Sequence, residues 1–478
     1  MGIGFGLSHS APAPSAARLV PTGEQAMILA AFRARANLVV NAGAGTGKTS
    51  TLKMLAGAAP SKRLLYIAYN KAIADDSKAS FPSNTECRTA HSLAFRAVGI
   101  QYAQRLNSGR VSSWMVAQRL GVQPVKTERR LFTAAKAASL VMQMVKGFCY
   151  SSYSELHPGH LGYVLGLDEK EHKLVAETLL PYAQKAWADI SDTQGTLPFT
   201  HDCYLKLWAL GLPRLGYDVV MLDEAQDANP VIADIVERQT QAQRVLVGDQ
   251  AQAIYGWRGA IDAMATFEGE RLVLSQSFRF GQAIADEANR WLDRLNAPLR
   301  LTGRVGLNSR VGKVETPRAV LCRTNAGAVL SVMRALDAGQ KPALVGGAEQ
   351  IKAMARAAIE LERGQGCGHP DLIAFKSWQD VQTFVKEEDA GSDLRVFVNL
   401  IDDYGARAVI ATLDRAVDES GADVVVSTAH RAKGREWDSV KVADDFPDRV
   451  KGGGEQMLAY VTVTRAKLAL DKGKLRAR

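Results

Sequence analysis

Apolar positions in this chain follow two different rhythms. Compact apolar runs at Leu38 to Asn41 and Leu64 to Tyr69 each end in a polar turn and read as buried strands. The runs YDVVMLDEA (217–225), RVLVGD (244–249) and RLVLSQ (271–276) read the same way. A helix follows the turn after the first strand, and a helix-like segment follows Asn70. That is the alternation of a parallel sheet covered by helices. From about 100 to 205 the rhythm lengthens, and segments 128–147 and 171–188 place apolar residues at helical spacing with Pro and Gly between them. Strand signals resume at AVLCRT near Arg318, give way to a helical, charged stretch over 348–420, and return as DVVVST (423–428) and VKVAD (440–444). The pattern predicts an α/β protein with two α/β domains, each interrupted by a mainly helical insertion.

With 478 residues there is room for roughly three domains of ordinary size. The 47% hydrophobic and 23% charged residues are ordinary for a globular protein. A net charge of +9 suits a polyanionic partner without demanding one. The cysteines (Cys87, Cys149, Cys203, Cys322, Cys367) are scattered and form no CxxC pair, which points to reduced thiols in a cytosolic or nuclear compartment. No apolar run approaches the roughly 18 residues of a membrane span. The N-terminus lacks the basic start and apolar core of a secretory signal. Residues 1–18, with their glycines and prolines, read as a flexible tail.

Chemistry enters at GAGTGKT (43–49), between an apolar strand and a helix. The strict GxxxxGK[ST] template would place its first glycine at Ala42, so the departure is by one small residue. Backbone N–H groups of Ala44, Gly45, Thr46, Gly47, Lys48, Thr49 and Ser50 would line a concavity at a helix N-terminus that favours phosphate. Lys48 would reach the β- and γ-phosphates of ATP, and Thr49 would offer its hydroxyl to Mg²⁺. The plain alternative is a glycine-rich turn. An apolar strand ending in two acids should lie beside such a loop, and VVMLDEAQD (219–227) supplies one. Asp223 would hold Mg²⁺, and Glu224 would orient and deprotonate the attacking water. HPGH (157–160) and the pair Cys367 and His369 lack the ligand count and spacing of a zinc site.

From DEAQD onward the chain resembles the UvrD/Rep-like DNA helicases of superfamily 1. LVGDQAQAIYGWRGA (246–260), LSQSFRFG (274–281), STAHRAKGREWDSV (427–440) and YVTVTRAK (460–467) resemble motifs III, IV, V and VI of that family. Upstream, TGEQ (22–25), YNKAIA (69–74) and TAHSLAF (89–95) resemble the Q-motif and motifs Ia and Ib. Within the family the likeness is greatest to the helicase core of the F-box-containing DNA helicases, through PSNTECRTAHSLAF, THDCYLKLW (200–208), QSFRFG and DDF (444–446). No F-box is expected before residue 19.

The resemblance implies two RecA-like P-loop domains with ATP between them. The first comprises 19–99 and 206–280, interrupted by a helical insertion at 100–205. The second comprises 281–347 and 421–478, interrupted by a short helical insertion at 348–420. It further implies that Gln25 reads the adenine, while Phe278 either stacks on it or packs in the core. Arg279 and Arg465 would act as arginine fingers from the far side of the ATP cleft. Gln252 would sense the γ-phosphate, and Glu436 would hydrogen-bond the ribose. On the nucleic-acid side fall Tyr69, Asn70, His91, Ser92, Trp257, Arg258 and His430, with Tyr255 equally at home in a core. Where many relatives carry an aromatic before the motif Ia Thr-Asn-Lys, this chain has Ala68, so stacking there shifts to Tyr69 or is lost.

The implied activity is ATP-dependent 3′→5′ movement on single-stranded DNA, acting at single-strand/duplex junctions with duplex unwinding. The expected location is the cytoplasm, with the nucleoid, in a bacterium or virus, and the nucleus in a eukaryote. A translocase that strips proteins from single strands competes with this reading, as does a nucleotide-dependent binding switch.

Overall fold

The structure, a computed structural model, describes residues 20–106, 111–128, 131–164, 167–254, 262–346, 348–369, 371–372, 375–387, 392–447 and 450–476. The tail expected at 1–18 lies outside these residues. The first sheet is built from β1 (Leu38–Ala42), β2 (Leu64–Ile67) and β3 (Thr85–Arg88). A short antiparallel pair follows, β4 (Val125–Lys126) with β5 (Leu131–Phe132). The chain then returns to the first sheet with β6 (Val219–Leu222), β7 (Gln243–Gly248) and β8 (Glu270–Leu274). All six strands are parallel, in the order β3-β2-β6-β7-β1-β8.

Side chains alternate across this sheet with the period of two that a strand imposes. Leu38 and Val40 of β1, Leu64 and Tyr66 of β2, and Val245 and Val247 of β7 face one core, closed by helices Gly23–Arg33 and Lys48–Gly57 through Ile28, Phe32, Leu52 and Leu55. Val39, Leu65, Ile67, Val220, Leu222 and Leu246 face the other. Each such side chain contributes about 1.5–3 kcal/mol by leaving water. That second core continues without a break into helices Ala134–Tyr150, Glu169–Ser191 and His201–Leu210. The insertion over 100–205 is therefore fused to the sheet, and helix His201–Leu210 runs across the 205/206 boundary.

The second sheet is also parallel. Its strands are β9 (Arg310–Val311), β10 (Ala319–Cys322), β11 (Pro342–Leu344), β12 (Val424–Thr428), β13 (Trp437–Val442) and β14 (Ala466–Asp471), in the order β11-β12-β10-β13-β14-β9. One face packs on helices Gln282–Arg294 and Gly453–Val463 through Leu321, Val440, Val442, Trp291 and Tyr460. Phe280 belongs to this core, and so do Ala44, Ala251 and Ile254 from the first domain. The opposite face, through Cys322 and Val426, packs on helix Asn325–Asp337 and on helices Glu349–Glu362, Trp378–Glu387, Ser392–Tyr404 and Ala406–Leu413. The stretch 348–420 is thus a covering layer of the second sheet. Among the described residues no helix is long and apolar enough to cross a membrane.

Candidate nucleotide site and nucleic-acid face

The glycine loop turns off β1 into helix Lys48–Gly57, with Gly45 at φ 74° and Gly47 at φ 82°. Both lie in the left-handed region that side chains avoid. Gly47 caps the helix, so the first N–H groups of Lys48, Thr49 and Ser50 point out of its positive end. Thr46 ties the loop by donating to Gly43 O at 2.9 Å. Lys48 Nζ lies 3.5 Å from Ala42 O and 3.9 Å from Glu224 Oε1. A Cβ built on Gly47 would stand 3.6 Å from both Gln25 Nε2 and the Phe278 ring, so the two expected adenine readers converge on this turn. Gln25 also closes a capping box with Thr22 and donates to Thr51 at 3.1 Å, which leaves one amide hydrogen for a base edge.

The acids do not sit on a strand adjoining β1, because β7 runs between β6 and β1. They reach the loop across its end. Asp223 is buried, accepting Tyr66 O–H at 2.6 Å and the Glu224 N–H at 2.9 Å. Burial, then the Glu224 charge, raises its pKa to about 6. Glu224 adopts φ 49°, strained for a side chain, and accepts Gln226 Nε2 at 2.7 Å. Burial alone would raise its pKa, but Lys48, Lys433 and Arg465 outweigh it and hold it at about 2. A hard cation such as Mg²⁺ takes oxygen ligands and keeps several waters beside a nucleotide phosphate. The Asp223 carboxylate retains a lone pair on each oxygen, and no cluster of three or more His, Cys, Asp or Glu exists among the described residues. Asp223 and Thr49 therefore suit an ion shared with phosphate, not one caged by protein.

The arginines are placed differently from one another. Arg465, 1% exposed, comes from the second domain. It spends Nε on Val461 O at 2.8 Å, Nη1 on Arg435 O at 3.2 Å, and Nη2 on Gln252 Oε1 at 3.2 Å and Thr464 Oγ1 at 2.9 Å. Burial, then the nearby Arg279 charge, lowers its pKa to about 9. Arg279 lies in the strap that carries the chain from β8 into helix Gln282–Arg294 of the second sheet's core. Its strand-to-helix strap lies along the glycine loop, with Ser277 Oγ donating to Ala44 O at 2.9 Å and Phe278 N–H to Gly45 O at 2.8 Å. The Arg279 guanidinium meets Glu436 at 2.6 Å and Thr464 O at 3.1 Å in the second domain. Glu436 is thereby paired with an arginine, and a ribose would have to share it.

Residues outside the sequence expectation complete the seam. Lys433 of the second domain ion-pairs with Asp227 and donates to Gln252 O. Tyr460 touches the glycine loop and Asp249. All lie inside the motif strings, but only the fold shows which of their side chains face the cleft.

A cavity of about 300 Å³ is lined by Tyr69, His91, Tyr150 and Asp202 together with Asp223 and Glu224. Tyr69 is exposed at its mouth. His91 Nε2 lies 3.0 Å from Asp202 Oδ1. Burial would raise the Asp202 pKa, but His91, Tyr150 and Lys146 together lower it. Asn70 accepts the Ile73 N–H at 2.9 Å and caps helix Lys71–Lys78, and Ser92 completes a capping box with Thr89 on helix Ala90–Ala97. His430 is half-buried in the turn after β12. Tyr255, Trp257 and Arg258 lie outside the described residues.

Two parallel sheets meeting over a phosphate-binding loop, with acids from one and a buried arginine from the other, define a two-domain P-loop nucleotide-binding protein. A family described as the UvrD/REP helicase N-terminal domain matches residues 167–270. F-box DNA helicase protein 1 of Schizosaccharomyces pombe is 31% identical over 485 residues, covering 91% of this chain and 55% of that protein. F-box DNA helicase 1 of Gallus gallus is 31% identical over 500 residues, covering 94% of this chain and 48% of that protein. DNA helicase IV of Escherichia coli is 24% identical over 340 residues, covering 59% and 47%. The chain spans about half the length of these relatives. It belongs to the UvrD/Rep-like helicases of superfamily 1, and its two sheets are RecA-like domains.

Proposed function

We propose that this chain is an ATP-dependent DNA helicase that travels 3′→5′ on single-stranded DNA and separates duplex at junctions. One observation carries the reading: Arg465 of the second domain meets Gln252 of the first at 3.2 Å, so the hydrolysis set is complete only when the domains touch. Lys48 and the loop N–H groups bind the phosphates, Asp223 and Thr49 hold Mg²⁺, and Glu224 orients the water. Alternate closing and opening of the seam, coupled to grip at Tyr69 and His91, gives stepwise movement. The relatives' names as DNA helicases support DNA as the track. Polarity rests on the family resemblance.

A second reading, displacement of bound proteins with little unwinding, is favoured by the packing of 348–420 as a layer on the second sheet and not as a free-standing body. Unwinding of a gapped duplex, run beside displacement of streptavidin from a biotinylated single strand, separates the two. Strand separation dependent on ATP supports the first. Streptavidin release with intact duplex supports the second.

A further inference from the structure

Tyr460 has no place in the sequence expectation, yet its hydroxyl sits at the seam between the domains. The side chain is wholly buried on helix Gly453–Val463. Its hydroxyl accepts the Ala44 N–H of the glycine loop at 3.3 Å and donates to Asp249 Oδ2 at 3.0 Å. Burial and the Asp249 carboxylate drive the phenol well above its ordinary value, so it is a fixed donor and not a base. Asp249, also wholly buried, further accepts the Ala251 N–H at 3.1 Å and Gln252 Nε2 at 2.6 Å. With its nitrogen committed to Asp249, the Gln252 amide turns Oε1 to Arg465 Nη2 at 3.2 Å. Tyr460 and Arg465 from one domain and Asp249 and Gln252 from the other thus form one hydrogen-bonded array.

We propose that Tyr460 is a positioning residue for ATP hydrolysis, holding Asp249 so that Gln252 presents its carbonyl to Arg465 only while the two domains touch. The proposal rests on the reading of this chain as an ATP hydrolase. Asp249 is where the amide's orientation is decided. An ionised carboxylate only accepts, so it selects the amide nitrogen; a protonated one can donate, and then the amide can turn over. Burial raises the Asp249 pKa and Glu224 adds to this, while Lys48 and the hydrogen bonds from Gln252 and Tyr460 oppose it. Arg465 faces it as well. Removing the Tyr460 donor weakens the hold on the ionised form.

The test is steady-state ATP hydrolysis by the full chain with saturating single-stranded DNA, comparing Tyr460→Phe with wild type across pH. The expected result is a fall in kcat of about ten- to a hundredfold. KM for ATP should stay within about twofold, and the acid limb of the pH profile should move to higher pH. A kcat within about twofold of wild type, or a loss confined to KM, overturns the proposal. If Tyr460→Phe melts below the assay temperature, Asp249→Asn carries the test with the same expected loss in kcat at constant KM. Where both fold, the double variant should be no slower than the slower single, because both break one array. Multiplying losses would overturn the shared role. Lys48→Ala keeps the two levels apart. If Lys48→Ala still turns over ATP, the hydrolase reading itself fails. If it is silent while Tyr460→Phe behaves as wild type, only the role of Tyr460 fails.

Discussion

Lys433 of the second domain and Asp227 of the first form an ion pair buried from solvent, with side chains 8% and 1% exposed. Burial raises the Asp227 pKa to about 6 even though Lys433 pulls it down, so the pair does not fully recover the cost of desolvating the acid. Lys433→Met should therefore destabilise the protein by about 3–5 kcal/mol, because it strands a buried charge. Asp227→Leu combined with Lys433→Met should recover most of that loss. Chemical unfolding of the two variants checks this, and a double variant as unstable as the single would contradict it.

Gly45 is packed tightly against the strap of Ser277 and Arg279. A Cβ there would stand 2.5 Å from Arg279 Cβ and 2.7 Å from Ser277 Oγ, at φ 74°. Gly45→Ala should displace the strap from the glycine loop and sharply weaken binding of a fluorescent ATP analogue, with the circular dichroism spectrum unchanged. Wild-type nucleotide affinity in that variant would show that the strap does not shape the site.

Glu224 and Lys48 face each other at 3.9 Å, and their roles separate by what each loss removes. Glu224→Gln keeps the shape but removes the proton acceptor, and should lower kcat by about 10²–10⁴-fold with ATP still bound. Lys48→Ala should abolish turnover and weaken binding as well. Single-turnover hydrolysis beside equilibrium nucleotide binding distinguishes the two.

On the DNA side, the exposed Tyr69 and Ser92, the N3 partner of the Thr89 cap, should behave differently. Tyr69→Ala should weaken single-strand binding by about 1–3 kcal/mol, the worth of one stacked base. Ser92→Ala removes only the reciprocal half of the capping box and leaves the Thr89 cap in place, so it should cost under about 1 kcal/mol of stability and weaken DNA binding less than Tyr69→Ala does. Fluorescence anisotropy with a labelled oligonucleotide, paired with thermal melting, reads both.

Much of the fold was legible in local pattern. The strands that carry the site, β1, β6, β7 and β12, are continuous apolar runs because both faces of the sheet are covered. β3 was not, since Cys87 is its only buried residue and the strand lies at the sheet's edge. β9 and β11 are short edge strands with too few residues to show a rhythm. In the site, the glycine loop and acids announce themselves because phosphate chemistry restricts the residues and their spacing. Tyr460 and Lys433 lie far along the chain from the partners they meet, and nothing local says that a tyrosine in an apolar helix points its hydroxyl at a glycine loop. The contact of the Ser277–Arg279 strap with the glycine loop was hidden for the same reason: a motif fixes which residue is present, not which backbone it lies against. The interposition of β7, which brings Asp249 between loop and acids, follows from strand order and not from either strand's own residues.

If the seam joining Arg465 to Gln252 couples nucleotide hydrolysis to a nucleic-acid track, DNA must change the rate of hydrolysis. The most direct measurement is the rate of ATP hydrolysis by the purified chain with and without saturating single-stranded DNA. We expect a severalfold or greater rise in kcat on adding DNA, lost in Arg465→Ala. Equal hydrolysis in the presence and absence of DNA would contradict it.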